Sequence, residues 1–143
     1  MTLFSTIAAV SGRVAQTPSR LAKVREIAEC LRALEAAEVP IASAFLSGET
    51  RQGKLGVSYA ALRAASATVH APAPALTIAD IDSAFTELAA IAGSGANAKR
   101  TQRLQALMAR ATIRPEVQKL LDRLGAVPVD IEPRFTTAAA LMR

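Results

Sequence analysis

Leu3, Ile7, Val10 and Val14 recur at intervals of three and four, a helical period that predicts an amphipathic helix over most of residues 3–15, with Gly12 weakening its end. Thr17 followed by Pro18 reads as a helix start, because Thr accepts a hydrogen bond from an orphan N–H and Pro loses nothing at the first position. The next helix is expected from Pro18 to about Ala36, with Val24, Ile27, Leu31 and Leu34 as its apolar stripe and Glu26 and Glu29 opposite. Pro40 opens a short helix through Ile41, Ala44 and Phe45 that Gly48 ends. Gly48 to Gly56 is too rich in glycine for a helix, and Ser58 then caps one carrying Tyr59, Leu62 and Arg63. His70-Ala-Pro-Ala-Pro-Ala75 reads as an extended linker. Thr77 and Asp80 have capping-box spacing ahead of Ile81, Phe85, Leu88 and Ala92. After Gly93-Ser-Gly95, a helix from about Asn97 to Ala111 carries Leu104, Leu107, Met108 and Ala111 on one face. Pro115 starts a last one through Val117, Leu120, Leu121 and Leu124, which Gly125 stops.

This pattern contains no alternating strand signal and predicts an all-α fold, a compact bundle of about six or seven helices followed by an irregular C-terminal tail. The helical domain is expected over residues 1–124, and a divergent tail over 125–143. Aromatics make up 3% and Trp is absent, so the core is expected to consist of short aliphatic side chains. No apolar run approaches the roughly 20 residues that span a bilayer, so no membrane partner is expected. Met1 to Val10 lacks the charged start of a secretory signal, and a cytoplasmic location follows as the expectation.

The net charge of +5 points to a polyanionic partner, and its distribution says more. No acidic residue precedes Glu26, none lies between Glu49 and Asp80, and none between Glu87 and Glu116. Those gaps hold Arg13, Arg20, Lys23 and Arg25, then Arg51, Lys54 and Arg63, then Lys99, Arg100, Arg103, Arg110 and Arg114. Catalytic chemistry has no foothold: there is no Walker-type loop, no Gly-x-Ser-x-Gly elbow and no metal-ligand cluster. No cofactor is implied. The lone Cys30 reads as a packing residue, and His70 as a solvated one.

Three segments join a glycine or a cap to a following helix with cations nearby, and orphan N–H groups at such a helix start attract anions. In Gly93-Ser-Gly-Ala-Asn-Ala-Lys-Arg100, cations in the first turn oppose the helix dipole by roughly 0.3–1 kcal/mol each, which an anionic ligand would reverse. Replacing Lys99 or Arg100 by alanine is therefore expected to leave folding intact. Taken alone, Thr17-Pro-Ser-Arg20 with Lys23 reads better as a well-capped helix start, and Arg51-Gln-Gly-Lys54 as a mobile surface loop.

Taken in order, Thr17 to Val24, Phe45-Leu-Ser-Gly-Glu-Thr-Arg-Gln-Gly-Lys-Leu-Gly-Val57 with Ala61-Leu-Arg63, and Gly93-Ser-Gly95 through Arg100 to Ala111-Thr112 resemble the N-terminal DNA-binding domain of bacterial ATP-dependent DNA ligases. The resemblance implies an all-helical domain that grips nicked double-stranded DNA through the minor groove, mainly by phosphate contacts. In that family it precedes a nucleotidyltransferase domain and an OB-fold. Carried over residue by residue, it implies DNA contacts by Arg20 and Lys23, by Arg51, Gly53, Lys54 and Gly56, and by Ser94, Gly95, Lys99 and Arg100. Arg103, on the same side of its helix as Lys99, joins that set.

The resemblance ends near residue 124, where the family has a second glycine loop and this chain reads Ala-Val-Pro-Val-Asp-Ile-Glu-Pro133. No Lys-x-Asp-Gly motif is present, so the chain is expected to be non-catalytic. It is expected to act on the nucleoid, with a separate ligase catalytic chain as a partner. Two other readings stand beside this one: a helical interaction module whose basic faces meet an acidic protein, and a shortened ligase relic. An uncovered apolar surface would also permit a homo-oligomer.

Overall fold

The computed structural model describes residues 1–66 and 71–112. The expected helix after Pro115, the tail from Gly125 and His70 all lie outside those residues. The described elements are six helices: α1 (Phe4–Gln16), α2 (Arg20–Arg32), α3 (Val39–Ser47), α4 (Tyr59–Ser66), α5 (Ile78–Ala90) and α6 (Ala96–Arg110). The all-α expectation holds. α1 packs against α2 and α3, α3 against α5, α5 against α6, and α6 against α4.

Local chemistry explains most boundaries. Thr77 accepts from the Asp80 N–H while the Asp80 carboxylate accepts from the Thr77 N–H, completing the expected capping box of α5. Gly48, at φ 79°, closes α3 with bonds from its own N–H to Phe45 and from the Glu49 N–H to Ala44, a Schellman pattern that requires left-handed backbone. Ser58 accepts from the Ala61 N–H at the start of α4.

The start of α2 differs from the expectation. Thr17 has the extended backbone of an N-cap, at φ −87°, ψ 119°, but does not cap α2. It finishes α1 instead, its hydroxyl donating to the Arg13 carbonyl, and Ser19 caps α2. α2 also stops at Arg32, short of Ala36. Gly12 lies inside α1, which continues to Gln16.

The core joins Ile7 of α1, Ile41 and Phe45 of α3, Ala65 of α4, Ile78, Ile81, Phe85 and Leu88 of α5, and Leu104, Leu107 and Met108 of α6. It is not purely aliphatic. Phe4, Phe45 and Phe85 meet edge to face, with centroids 5.8 and 6.1 Å apart, each ring from a different helix. In helices this rich in alanine, three large rings fill the space that short side chains leave. Cys30 packs at the margin of this core, and burial pushes its thiol pKa up, consistent with a packing role.

One feature had no sequence signal. Residues on either side of Leu3 pair with the entry to α5: the Phe4 N–H donates to Leu76, and the Ile78 N–H to Thr2, forming an isolated antiparallel bridge. Beside it the buried Glu38 carboxylate accepts from the Thr2 hydroxyl at 2.8 Å and the Thr2 N–H at 2.7 Å. Those bonds hold its pKa below the usual carboxylate range.

Truncating the central ring, Phe45→Ala, is expected to cost about 3–5 kcal/mol in urea unfolding, since three helices meet there. A loss well under 1 kcal/mol would contradict its central place. Acid sensitivity follows from two carboxylates. The Thr77 N–H holds the Asp80 pKa low, as the Thr2 hydroxyl does for Glu38. Their contribution is complete above the usual carboxylate values near about 4 and is lost as pH falls through the depressed folded values. Thr77→Ala should cost about 0.5–2 kcal/mol at neutral pH. Asp80→Asn, which removes the titrating carboxylate while leaving the Thr77 N–H in place, should lose part of the stability drop between neutral and acid pH that melting curves of the parent show.

Candidate nucleic-acid interface

Two of the three basic segments come together, through the side chain of Arg100 lying against Gly56. The loop from Gly48 to Gly56 lies on α5: Gln52 Nε2 donates to the Asp82 carbonyl, the Asp82 carboxylate and the Thr86 hydroxyl at 3.0–3.1 Å. Arg51 adds an ion pair to Asp82 at 3.1 Å. Within the loop the Thr50 hydroxyl donates to the Gly53 carbonyl, and Gly53, at φ 69°, faces open space. Gly56 follows at φ 67°. The loop is therefore anchored, and Gln52, which the sequence did not single out, is its main anchor.

From the other side, Gly93 and Gly95, at φ 82° and 73°, turn the chain from α5 into α6. Gly95 is the N-cap of α6 and supplies no side chain to it. The Ala96 and Lys99 N–H groups are satisfied by the Gly93 and Gly95 carbonyls. Those of Asn97 and Ala98 have no partner among the described residues. Ser94 is exposed beside them.

Arg100 links the two segments. Its Nη2 donates to the Ile91 carbonyl, and its guanidinium lies against Gly56 so closely that a Cβ there would fall 2.8 Å from Cζ. Its Nε is buried with no hydrogen-bond partner among the described residues. The expectation that Arg100 is dispensable for folding is therefore replaced by the opposite one. Arg103 is also engaged, paired with Glu87 across α5 and α6, and its hydrogen bond holds the Glu87 pKa down. Arg110 pairs with Asp80 at 3.3 Å.

Lys54 and Lys99 remain. Both are exposed, and neither has an acidic partner among the described residues. Arg20 and Lys23 stand elsewhere, in the first turn of α2, which packs on α1 and α3. Among the described residues no cluster of His, Cys, Asp and Glu could hold a metal ion, and no helix is long and apolar enough to cross a membrane.

Comparison with known proteins bears on this arrangement. The chain is 49% identical over 108 residues to a probable DNA ligase of Mycobacterium avium, covering 74% of this chain and 20% of that protein. It is 46% identical over 110 residues to a probable DNA ligase of Rhodococcus jostii, covering 77% and 22%. A probable DNA ligase of an Anaeromyxobacter strain is 41% identical over 111 residues, covering 76% and 22%. The chain is related to part of the DNA ligases. It spans about a fifth of the length of these relatives. No family model and no solved structure matches it.

In this ligase-related unit the contact between Gly56 and Arg100 can be tested as a pair. Gly56→Ala forces a side chain into left-handed backbone and displaces the guanidinium, so it should destabilise by about 1–3 kcal/mol. In an Arg100→Ala background the same change should cost less, leaving only the backbone strain. Additive losses in the double-variant cycle would show that the two residues do not support each other.

Proposed function

We propose that this unit binds duplex DNA along its phosphate backbone without reading sequence, as the DNA-holding part of a nick-sealing system. The catalytic step belongs to the nucleotidyltransferase core, supplied by a separate chain or by other parts of the same protein. The observation that carries this reading is the pairing of two anchored glycine turns, each with one exposed lysine that has no acidic partner among the described residues. Lys54 leaves the first turn between Gly53 and Gly56, and Lys99 stands in the first turn of α6. Left-handed glycines allow close approach of a phosphate to backbone, and the unpartnered Asn97 and Ala98 N–H groups add donors backed by the helix dipole. Ser94 and Gly95 belong to the same contact.

The paired cations take a different part. Arg51, Arg100 and Arg103 hold the loop, the turn and α6 in place, so their guanidinium groups position the phosphate donors rather than supplying the main charge. The relation to DNA ligases supports DNA over other polyanions, and binding of this kind would keep the protein on the nucleoid. Contacts made to phosphate and not to base edges suit a protein that must act at any sequence.

Fluorescence anisotropy with labelled nicked and intact duplexes at several salt concentrations tests the reading. Binding should fall in the range of about 10⁻⁴–10⁻⁶ M usual for non-specific complexes, with little preference for the nick. Lys54→Ala and Lys99→Ala should each weaken binding equally across sequences and reduce the log–log salt slope by up to about one unit. Neither should lower the melting temperature, and Lys99→Ala removes a cation that opposes the α6 dipole. Folded protein that ignores duplex at low salt would overturn the proposal.

A further inference from the structure

α2 has no buried residue, unlike α1, α3, α5 and α6. Its inner side rests on α1 and α3 through half-buried Ile27, Cys30 and Leu31, and through the ion pair of Glu26 with Arg13. Val24, expected in the core stripe, is instead 57% exposed, and Leu21 is 78% exposed. Leu21, Val24 and Ala28 follow one another at intervals of three and four, the spacing of a coiled-coil seam, while Leu31 packs inward against the core. At 100° per residue, Arg20 falls on one flank of this seam and Arg25 and Arg32 on the other. All three arginines are exposed, and none has an acidic partner among the described residues.

We propose that the outer face of α2 docks an acidic amphipathic helix of a partner protein, with apolar residues at the same spacing and Glu or Asp on both flanks. Charge complementarity selects this occupant. A second copy of the same face would oppose arginine to arginine in a two-fold interface, which is unfavourable. Duplex DNA would meet the arginines but would gain nothing from an apolar stripe running between them. The face lies on a different helix from the turns holding Lys54 and Lys99, so the inference stands independently of DNA binding by those turns.

The test uses the full chain and two labelled helical peptides that share leucines at seam positions, one flanked by glutamates and the other by lysines. The glutamate peptide should bind by anisotropy, and the lysine peptide at least about tenfold more weakly. Leu21→Ser with Val24→Ser should reduce glutamate-peptide binding about tenfold or more, while circular dichroism and the affinity for duplex DNA stay unchanged. Arg25→Glu with Arg32→Glu should reverse the preference toward the lysine peptide, an outcome that misfolding cannot produce. Equal binding of both peptides, or none at millimolar concentration, would overturn the proposal. So would a loss of duplex affinity in the Leu21 and Val24 variant, which would assign the face to DNA.

Discussion

The arrangement of the candidate interface depends on one guanidinium. Arg100 reaches back from the first turns of α6 to the Ile91 carbonyl, and in doing so its guanidinium lies against Gly56. A side chain at that position would require the guanidinium to move. The contact fixes the end of the Gly48–Gly56 loop against the turn between α5 and α6, two segments that are separated by all of α4 and α5 in the chain. The Nε of Arg100 is buried and has no hydrogen-bond partner among the described residues. A lysine would carry the same charge but could not present a flat face to the glycine.

Around this contact the cations divide by role. Asp82, Glu87 and Asp80 are spread along α5, and each neutralises one arginine from the loop or from α6. These exposed pairs contribute little to stability one by one. Their larger effect is geometric, since they hold the loop and α6 on the two sides of α5 and leave Lys54 and Lys99 without an acidic partner among the described residues. On α2, Arg20, Arg25 and Arg32 are likewise without an acidic partner among the described residues.

Much of the fold was legible in the sequence because helices announce themselves through period and caps. Thr77 with Asp80, Ser58 and Gly48 act as their residue types require, and Leu104, Leu107 and Met108 face the core as spacing demands. The start of α2 was misplaced because Thr17 and Ser19 are both capping residue types; Ser19 accepts from the Ala22 N–H, while the Thr17 hydroxyl turns back to the Arg13 carbonyl. Val24 fitted an apolar stripe that the neighbouring helices do not cover, and periodicity alone cannot tell which apolar residues find partners. At the interface, sequence identified the cations and glycines but not their pairing. That Arg100 would serve Ile91, or that Gln52 would secure a loop expected to lie free, depends on contacts between residues far apart in the chain.

The central claim is that the two glycine turns act as one phosphate-binding surface. Amide chemical-shift mapping of the chain during titration with a short duplex tests it most directly. The account predicts that Gly53, Lys54 and Gly56 shift together with Gly95, Asn97, Ala98 and Lys99, along a single binding curve, while Leu21 and Val24 stay in place. Shifts confined to α2, with both turns unmoved at saturation, would contradict it.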